Sequence, residues 1–279
     1  MSYPSIRWAI KILGLVPVFF LSLNVACAQE VFYSATSMGI GGCYTASDPG
    51  GGMRINEASL GADGSLTFTA EQLMPYISRE VGITTLSTRL PVSNGSFGLS
   101  ASHVGIPGFR QFIIATGYGL RLAETLSAGV GFNGSSVVAS GEWNHLWRVG
   151  MSGGIQYMVL PTLLLGMHIF NPVTVSNYPE YGETAASMIS VGLRYDLYEN
   201  TSWFLEAERH ASGGWRLKTG AELLAADRVT LLAGFHSNPA SLSFGSVFSF
   251  RKLSLFIGAA YSTIMGVNPA LSISYTTSE

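Results

Sequence analysis

Charge is scarce in this chain. Its 279 residues include 15 lysines and arginines and 17 aspartates and glutamates, so charged residues make up 11%, against about 25% in an average soluble domain. An ordinary soluble globule is therefore excluded. A formal net charge of −2 gives no basic surface for gripping phosphate backbones, which removes nucleic acid as a partner. Cysteine is nearly missing too, with only Cys27 and Cys43, and so are long apolar runs. Beyond the first 25 residues no stretch approaches the roughly 18 apolar residues of a membrane helix. What remains is a chain whose apolar residues are dispersed in alternation, the pattern of strands with one face against lipid.

The amino terminus carries its one apolar block. Arg7 and Lys11 precede Ile12 to Leu23, and Ala26-Cys27-Ala28 follows. A basic region, a short apolar core and an A-x-A site predict a secretory signal over 1–28, removed on Sec-type export. Cys27 raises lipidation as an alternative, which Asn24-Val25-Ala26 before it fits poorly. In the processed chain Cys43 is alone, so no internal disulfide and no CxxC metal knuckle can form.

From Ser65 onward, runs of about ten residues alternate apolar with small or polar side chains between turn signals. They predict strands at 65–71, 80–90, 95–104, 109–121, 124–133, 146–157, 161–170, 185–196, 201–210, 213–223, 227–236, 240–250, 253–262 and 268–277. In the eighth, Val191, Leu193, Tyr195 and Leu197 share one face, and Ser190, Gly192, Arg194 and Asp196 the other. Even-numbered connections are short, as in Leu122-Ala123 and Arg251-Lys252, whereas Gly134 to His145 and Asn171 to Thr184 read as long odd-numbered loops. Tight periplasmic turns alternating with longer outer loops distinguish a bacterial outer-membrane barrel from a Greek-key sandwich. The expected fold class is all-β: a transmembrane antiparallel β-barrel of about 14 strands over 65–279. Such a barrel is too wide for its own side chains to fill. Residues 29–64, rich in glycine and with a short helix expected around Arg54 to Leu60, are the expected plug.

Within that segment, Ser34-Ala35-Thr36-Ser37-Met38-Gly39-Ile40-Gly41-Gly42-Cys43-Tyr44-Thr45-Ala46-Ser47-Asp48 and Asn56-Glu57-Ala58-Ser59-Leu60 resemble the PorV/PorQ group of outer-membrane barrels, relatives of the FadL-type fatty-acid transporters. The group's motifs are S-A-x-x-M-G-x-G-G-x-x-x-A-x-x-D and N-P-A-x-L. Thr219-Gly220-Ala221-Glu222, Leu232-Ala233-Gly234-Phe235, Leu242-Ser243-Phe244-Gly245 and Leu271-Ser272-Ile273-Ser274-Tyr275 are similar as well. Two departures stand out: Glu57 occupies the usual proline position, and the chain ends Thr276-Thr277-Ser278-Glu279 without a terminal aromatic. The resemblance implies a fourteen-stranded barrel with an amino-terminal plug, whose motif residues here are Gly39, Gly41, Gly42, Asp48 and Asn56. For function it implies either docking of cargo in type IX secretion or uptake of a hydrophobic solute.

Several patterns suggest chemistry. Gly150-Met151-Ser152-Gly153-Gly154 matches the G-x-S-x-G nucleophile elbow, but no helical pattern follows it, as that motif requires. His103, His145 and His168, weighed against Ser135 and Ser136, are the candidates for a rim-active lipid hydrolase. His210 and His236 belong to separate strands, so no metal site and no cofactor are expected. The glycines of the plug lack the Gly-Lys-Ser/Thr of a P-loop. The most informative group is Arg194, Asp196, Glu206, Glu208, Arg216, Lys218 and Glu222, all on the face opposite Val191, Leu193, Leu205, Ala207, Leu217 and Leu223. Since Arg or Lys facing midplane lipid costs about 2–4 kcal/mol, these seven should point into the lumen, pair with one another and help hold the plug. Trp143, Trp147, Tyr157, Tyr178, Tyr181, Trp203 and Trp215 suit interfacial girdles.

The expectation is therefore a non-enzymatic protein of the Gram-negative outer membrane. Docking or assembly of the PorV/PorQ kind comes first, FadL-like passage of a hydrophobic small molecule second and a lipid hydrolase third. The partners implied are outer-membrane lipid, a secretion-machinery or cargo protein, or a hydrophobic ligand.

Overall fold

The computed structural model describes residues 34–47, 56–62, 64–78, 80–106, 108–139, 146–177, 187–211 and 213–277. Residues 1–28, where a signal segment is expected, and Asp48, Trp143, His145, Tyr178 and Tyr181 lie outside them. Fourteen strands among the described residues form one antiparallel sheet that closes on itself. They are β1 (Thr67–Leu73), β2 (Ile83–Val92), β3 (Gly95–Ile106), β4 (Phe109–Ala123), β5 (Leu126–Ala139), β6 (Leu146–Leu160) and β7 (Leu163–Ser176). The sheet continues with β8 (Met188–Tyr198), β9 (Thr201–His210), β10 (Trp215–Ala226), β11 (Val229–His236), β12 (Ser241–Phe250), β13 (Leu253–Ser262) and β14 (Gly266–Thr276). Closure comes from β1 against β14, with Thr67 opposite Thr276 and Leu73 opposite Ala270. A closed sheet leaves no edge, so every strand can satisfy its backbone in lipid.

The period of two sets the two surfaces. In β12, Leu242 and Phe244 are exposed on the outside, while Ser241 and Ser243 are buried on the inside. Trp147, Tyr157, Trp203 and Trp215 also face outward. The inner face carries hydroxyls, glycines and charges, so the hydrophobic surface is outside, as a membrane-spanning wall requires.

All six even-numbered connections are two residues long: 93–94, 124–125, 161–162, 199–200, 227–228 and 251–252. At the opposite end the strands stand further apart in sequence, as between Leu73 and Ile83 and between Ser176 and Met188. Two of the expected long loops are shorter than their sequence suggests. β5 runs on through Gly134-Ser135-Ser136-Val137-Val138, because each of these residues has a partner on β4. β7 continues to Ser176 past Asn171-Pro172, a dipeptide that normally marks a turn. Here it forms a bulge. Pairing with β6 passes from Phe170 to Thr174 across the single residue Met151, and Asn171 takes a φ of +48°.

Candidate functional site: a plug tied to the wall

The amino-terminal segment lies inside the barrel and makes two described passes. The first contains the helix α1 (Ala35–Gly39), capped by Ser34, whose Oγ accepts the Ser37 amide at 3.1 Å. The chain then turns through Gly41 and Gly42, at φ +73° and +79°, conformations that favour glycine. A Cβ on Gly41 would stand 2.6 Å from the Thr219 carbonyl oxygen. The second pass is a 3-10 helix, Glu57–Gly61, which Asn56 caps by accepting the Ala58 amide at 3.1 Å. The helix expected around Arg54 to Leu60 is, in its described part, one tight turn of the 3-10 kind, and Arg54 lies outside the described residues.

At β1, the buried carboxylate of Glu71 accepts the Ala35 amide at 3.1 Å. Beyond it, Met38 and Ile40 pack against the inward side chains Phe204, Leu232 and Phe256, an apolar patch on an otherwise polar lumen wall.

At β9 and β10, Lys218 uses its ammonium on three acceptors: Glu206 at 2.7 Å, Glu208 at 2.7 Å and the Gly42 carbonyl at 3.0 Å. The second oxygen of Glu206 accepts the amides of Tyr44 and Thr45, each at 2.9 Å. Glu208 also meets His210 at 2.7 Å and Arg216 at 3.5 Å, and Arg216 donates to the Asn238 carbonyl at 2.9 Å. Lys218, Glu206 and Glu208 are essentially inaccessible to solvent. Buried charge is tolerable only with this degree of pairing, and removing one partner of such a set typically destabilises by about 3–5 kcal/mol. Beside this network, burial, reinforced by the Glu206 charge, pushes the Cys43 thiol up, so Cys43 stays protonated and inert.

At β6 and β7, Asn56 donates to the Thr45 carbonyl at 2.8 Å and to the wall carbonyls of Ile155 and Met167, each at 3.2 Å. The Glu57 carboxylate accepts from Ser152 Oγ and lies 3.0 Å from His168 Nε2. His168 Nδ1 is 3.3 Å from the Tyr44 hydroxyl, which is 2.9 Å from Ser190 Oγ. The whole chain is satisfied when His168 Nε2–H donates to Glu57 and Nδ1 accepts from the Tyr44 hydroxyl. Position 57 therefore keeps its turn and adds a polar link between the two passes.

At β2, Arg89 donates to Ser96 at 3.1 Å and to the carbonyls of Leu60 and Ala62, gripping the plug where it leads into the wall.

The seven charges singled out in the sequence divide in space. Glu206, Glu208, Arg216 and Lys218 form one cluster. Arg194 and Asp196 pair separately at 2.8 Å, about a third exposed, and Glu222 is half-buried opposite Ser202. Gly39, Gly41, Gly42 and Asn56 all lie on the plug's contact surfaces. Sequence reasoning missed Glu71, Tyr44 and Arg89, and weighed His168 only as a hydrolase base. The inward position of Glu71, in step with Thr67 and Thr69, was a usable signal. So was the alternation of Gly117, Gly119, Gly129 and Gly131, where the wall comes closest to Glu57 and Leu60.

Three of the hydrolase candidates are placed where that chemistry has no support, while His145 lies outside the described residues. Ser152 lies within β6, with no helix after it. Both ring nitrogens of His168 are engaged by the plug. His103 is on the outer wall beside Phe112, ring centroids 4.8 Å apart. Among the described residues, no group of three His, Cys, Asp or Glu side chains could hold a metal ion.

No protein-family model matches the sequence, and no curated protein matches it. Solved structures do resemble it. The CymD monoaromatic hydrocarbon channel superposes with a TM-score of 0.68 at 14% identity, over 90% of this chain and 99% of that one. The Pseudomonas putida toluene transporter TodX gives 0.61 at 12% identity, over 88% and 99%. A Pseudomonas aeruginosa FadL homologue gives 0.61 at 10% identity, over 88% and 99%. The fold is thus a plugged fourteen-stranded transmembrane barrel of the FadL-like kind.

Proposed function

We propose that this protein passes small hydrophobic molecules across the outer membrane of a Gram-negative bacterium, through a lumen gated by the plug. The observation that carries the reading is the inner apolar patch of Phe204, Leu232 and Phe256, covered by Met38 and Ile40 of the plug. A purely structural plug has no need of an apolar seat within a polar lumen, whereas a hydrophobic solute that displaces α1 finds one ready. The fold shared with structures named as a hydrocarbon channel and a toluene transporter supports the same reading. The docking role implied by the PorV/PorQ resemblance has no comparable support, and solute passage takes its place.

Uptake of labelled toluene by Gram-negative cells with and without the protein tests the proposal. A Cβ built on Gly39 stands 3.3 Å from Leu232 Cβ, close to the roughly 3.5–4.5 Å of a disulfide. In a Cys43→Ala background, Gly39→Cys with Leu232→Cys should abolish uptake when oxidised and restore it on reduction. Uptake no faster than in cells lacking the protein, or equal rates with the plug locked and free, would sink the reading.

A further inference from the structure

The outer wall has one feature that a smooth lipid-facing surface does not need. On β10, β11 and β12 the outward residues Ala221, Ala233 and Ser246 are small, and Leu223, Leu231 and Phe244 stand around them. Together with Thr201, Glu222, Leu232 and Gly245 they bound an open groove of about 690 Å³. Its lining is mostly apolar, and the outward residues open it onto the face that meets hydrocarbon.

A second, independent feature lies directly beneath it. Of the six two-residue turns, Ser93-Asn94, Glu124-Thr125, Pro161-Thr162 and Glu199-Asn200 carry no basic residue. Both turns that flank β11 and β12 do: Asp227-Arg228 and Arg251-Lys252. The Arg228 carbonyl accepts the Ser249 amide at 2.9 Å, which sets the first of these turns against the end of β12, where the second begins. Arg228, Arg251 and Lys252 are exposed, and none of them forms an ion pair among the described residues. The three positive charges carried by the two-residue turns are therefore gathered on two adjacent turns, with Asp227 as the one acid between them.

The spacing joins the two features. Three residues of strand separate Leu231 from Arg228, about 10 Å, which fits within one leaflet of roughly 15 Å, half the hydrocarbon thickness. A molecule whose anionic head sits at the turns can lay its tail in the groove. Basic side chains at a membrane surface attract anionic headgroups, and each methylene that enters the groove adds contact area.

We propose that the β10–β12 face is a binding site for one anionic glycerophospholipid, its phosphate held by Arg228, Arg251 and Lys252 and one acyl chain seated over Ala221, Ala233 and Ser246. The site lies on the outside of the wall and is independent of solute passage through the lumen, so either can fail without the other.

Native mass spectrometry of the full chain in detergent, given phosphatidylglycerol or phosphatidylethanolamine, tests it. The unaltered protein should retain one phosphatidylglycerol with about tenfold preference. Changing Arg228, Arg251 and Lys252 together to Gln should erase the preference. Ala233→Phe, which fills the groove on the lipid side and leaves the lumen untouched, should reduce retention of both lipids. Ser136→Phe, on the outer face of β5, should leave retention unchanged and so controls for a generally altered surface. Equal retention of the two lipids by the unaltered protein overturns the proposal. Undiminished retention by Ala233→Phe, displacement by inorganic phosphate alone, or a second copy of the chain in place of lipid would overturn it as well.

Discussion

On the β8–β10 side the wall reaches the plug with long charged side chains, whereas on the β4–β6 side it has almost no side chain and lets the plug backbone come to it. Lys218 and Glu206 extend inward to Gly42, Tyr44 and Thr45. Across the lumen, a Cβ on Gly119 would stand 2.1 Å from the Glu57 carbonyl oxygen, and one on Gly129 2.3 Å from the Glu57 carbonyl carbon. The two contacts fail in different ways. A charged network that loses a member keeps the remaining charges buried, so the penalty is electrostatic. A glycine wall that gains a side chain is simply overfilled, and the plug pass can retreat from it.

The largest effect is expected at Lys218. Lys218→Met leaves Glu206 and Glu208 buried without their shared cation, and about 3–5 kcal/mol of stability should be lost. Thermal unfolding in detergent measures it. Replacing all three together, with Glu206→Gln, Glu208→Gln and Lys218→Met, should be milder than Lys218→Met alone, because the charge left over is then Arg216, which reaches solvent and donates to the Asn238 carbonyl, rather than the fully buried Glu206. A triple variant worse than the single one would show that the network's hydrogen bonds to the plug matter more than its charges.

Next comes the glycine wall. Gly129→Val should cost about 1–3 kcal/mol by overpacking and displace the Glu57–Gly61 pass while the first pass stays seated. Cys43 reports which pass has moved. Burial holds its thiol protonated, so labelling by a thiol reagent at pH 8 should be slow in the unaltered protein. Each 1.4 kcal/mol lost from seating of the first pass raises its open population about tenfold. Lys218→Met should therefore speed labelling far more than Gly129→Val, and equal rates would mean that the two passes move as one body.

Glu57→Gln should have a smaller effect, about 1–2 kcal/mol, because the amide oxygen can still accept from His168 Nε2 while its NH2 donates to Ser152 Oγ, and only the charge-assisted part of the two contacts is lost. His168→Ala removes the partner instead and should cost more than Glu57→Gln, since it leaves both Glu57 and the Tyr44 hydroxyl short of a bond.

The charged side of this comparison is legible in the sequence and the glycine side is nearly silent. Strict alternation puts Glu206, Glu208, Arg216 and Lys218 on one face of two neighbouring strands, so their meeting follows from register alone. The plug has no such period. Nothing in Met38-Gly39-Ile40-Gly41-Gly42 says which strand it touches, because that depends on packing between segments some 200 residues apart, such as the Gly41 amide with Ser243 at 3.1 Å. Loop ends fail for a related reason. Asn171-Pro172 has the chemistry of a turn, and only its neighbours on β6, together with Asn133, which donates to Asn171 Oδ1 at 2.7 Å, convert it to a bulge.

The smallest effect is expected at the pair that the sequence grouped with Lys218 but the structure sets apart. Arg194 and Asp196 lie two residues apart on one face, 2.8 Å from each other, and both side chains are about a third exposed. Water and salt screen such a pair, and its removal typically changes stability by about 0–1 kcal/mol. Asp196 also accepts Ser202 Oγ at 2.6 Å, so Asp196→Asn keeps a neutral acceptor there and Arg194→Gln leaves that bond whole. Neither change touches the plug, and neither should alter Cys43 labelling. If Arg194→Gln accelerated labelling as much as Lys218→Met, the inward charges would act as one field along the whole wall; the measured gap between the two variants shows how locally the plug is held.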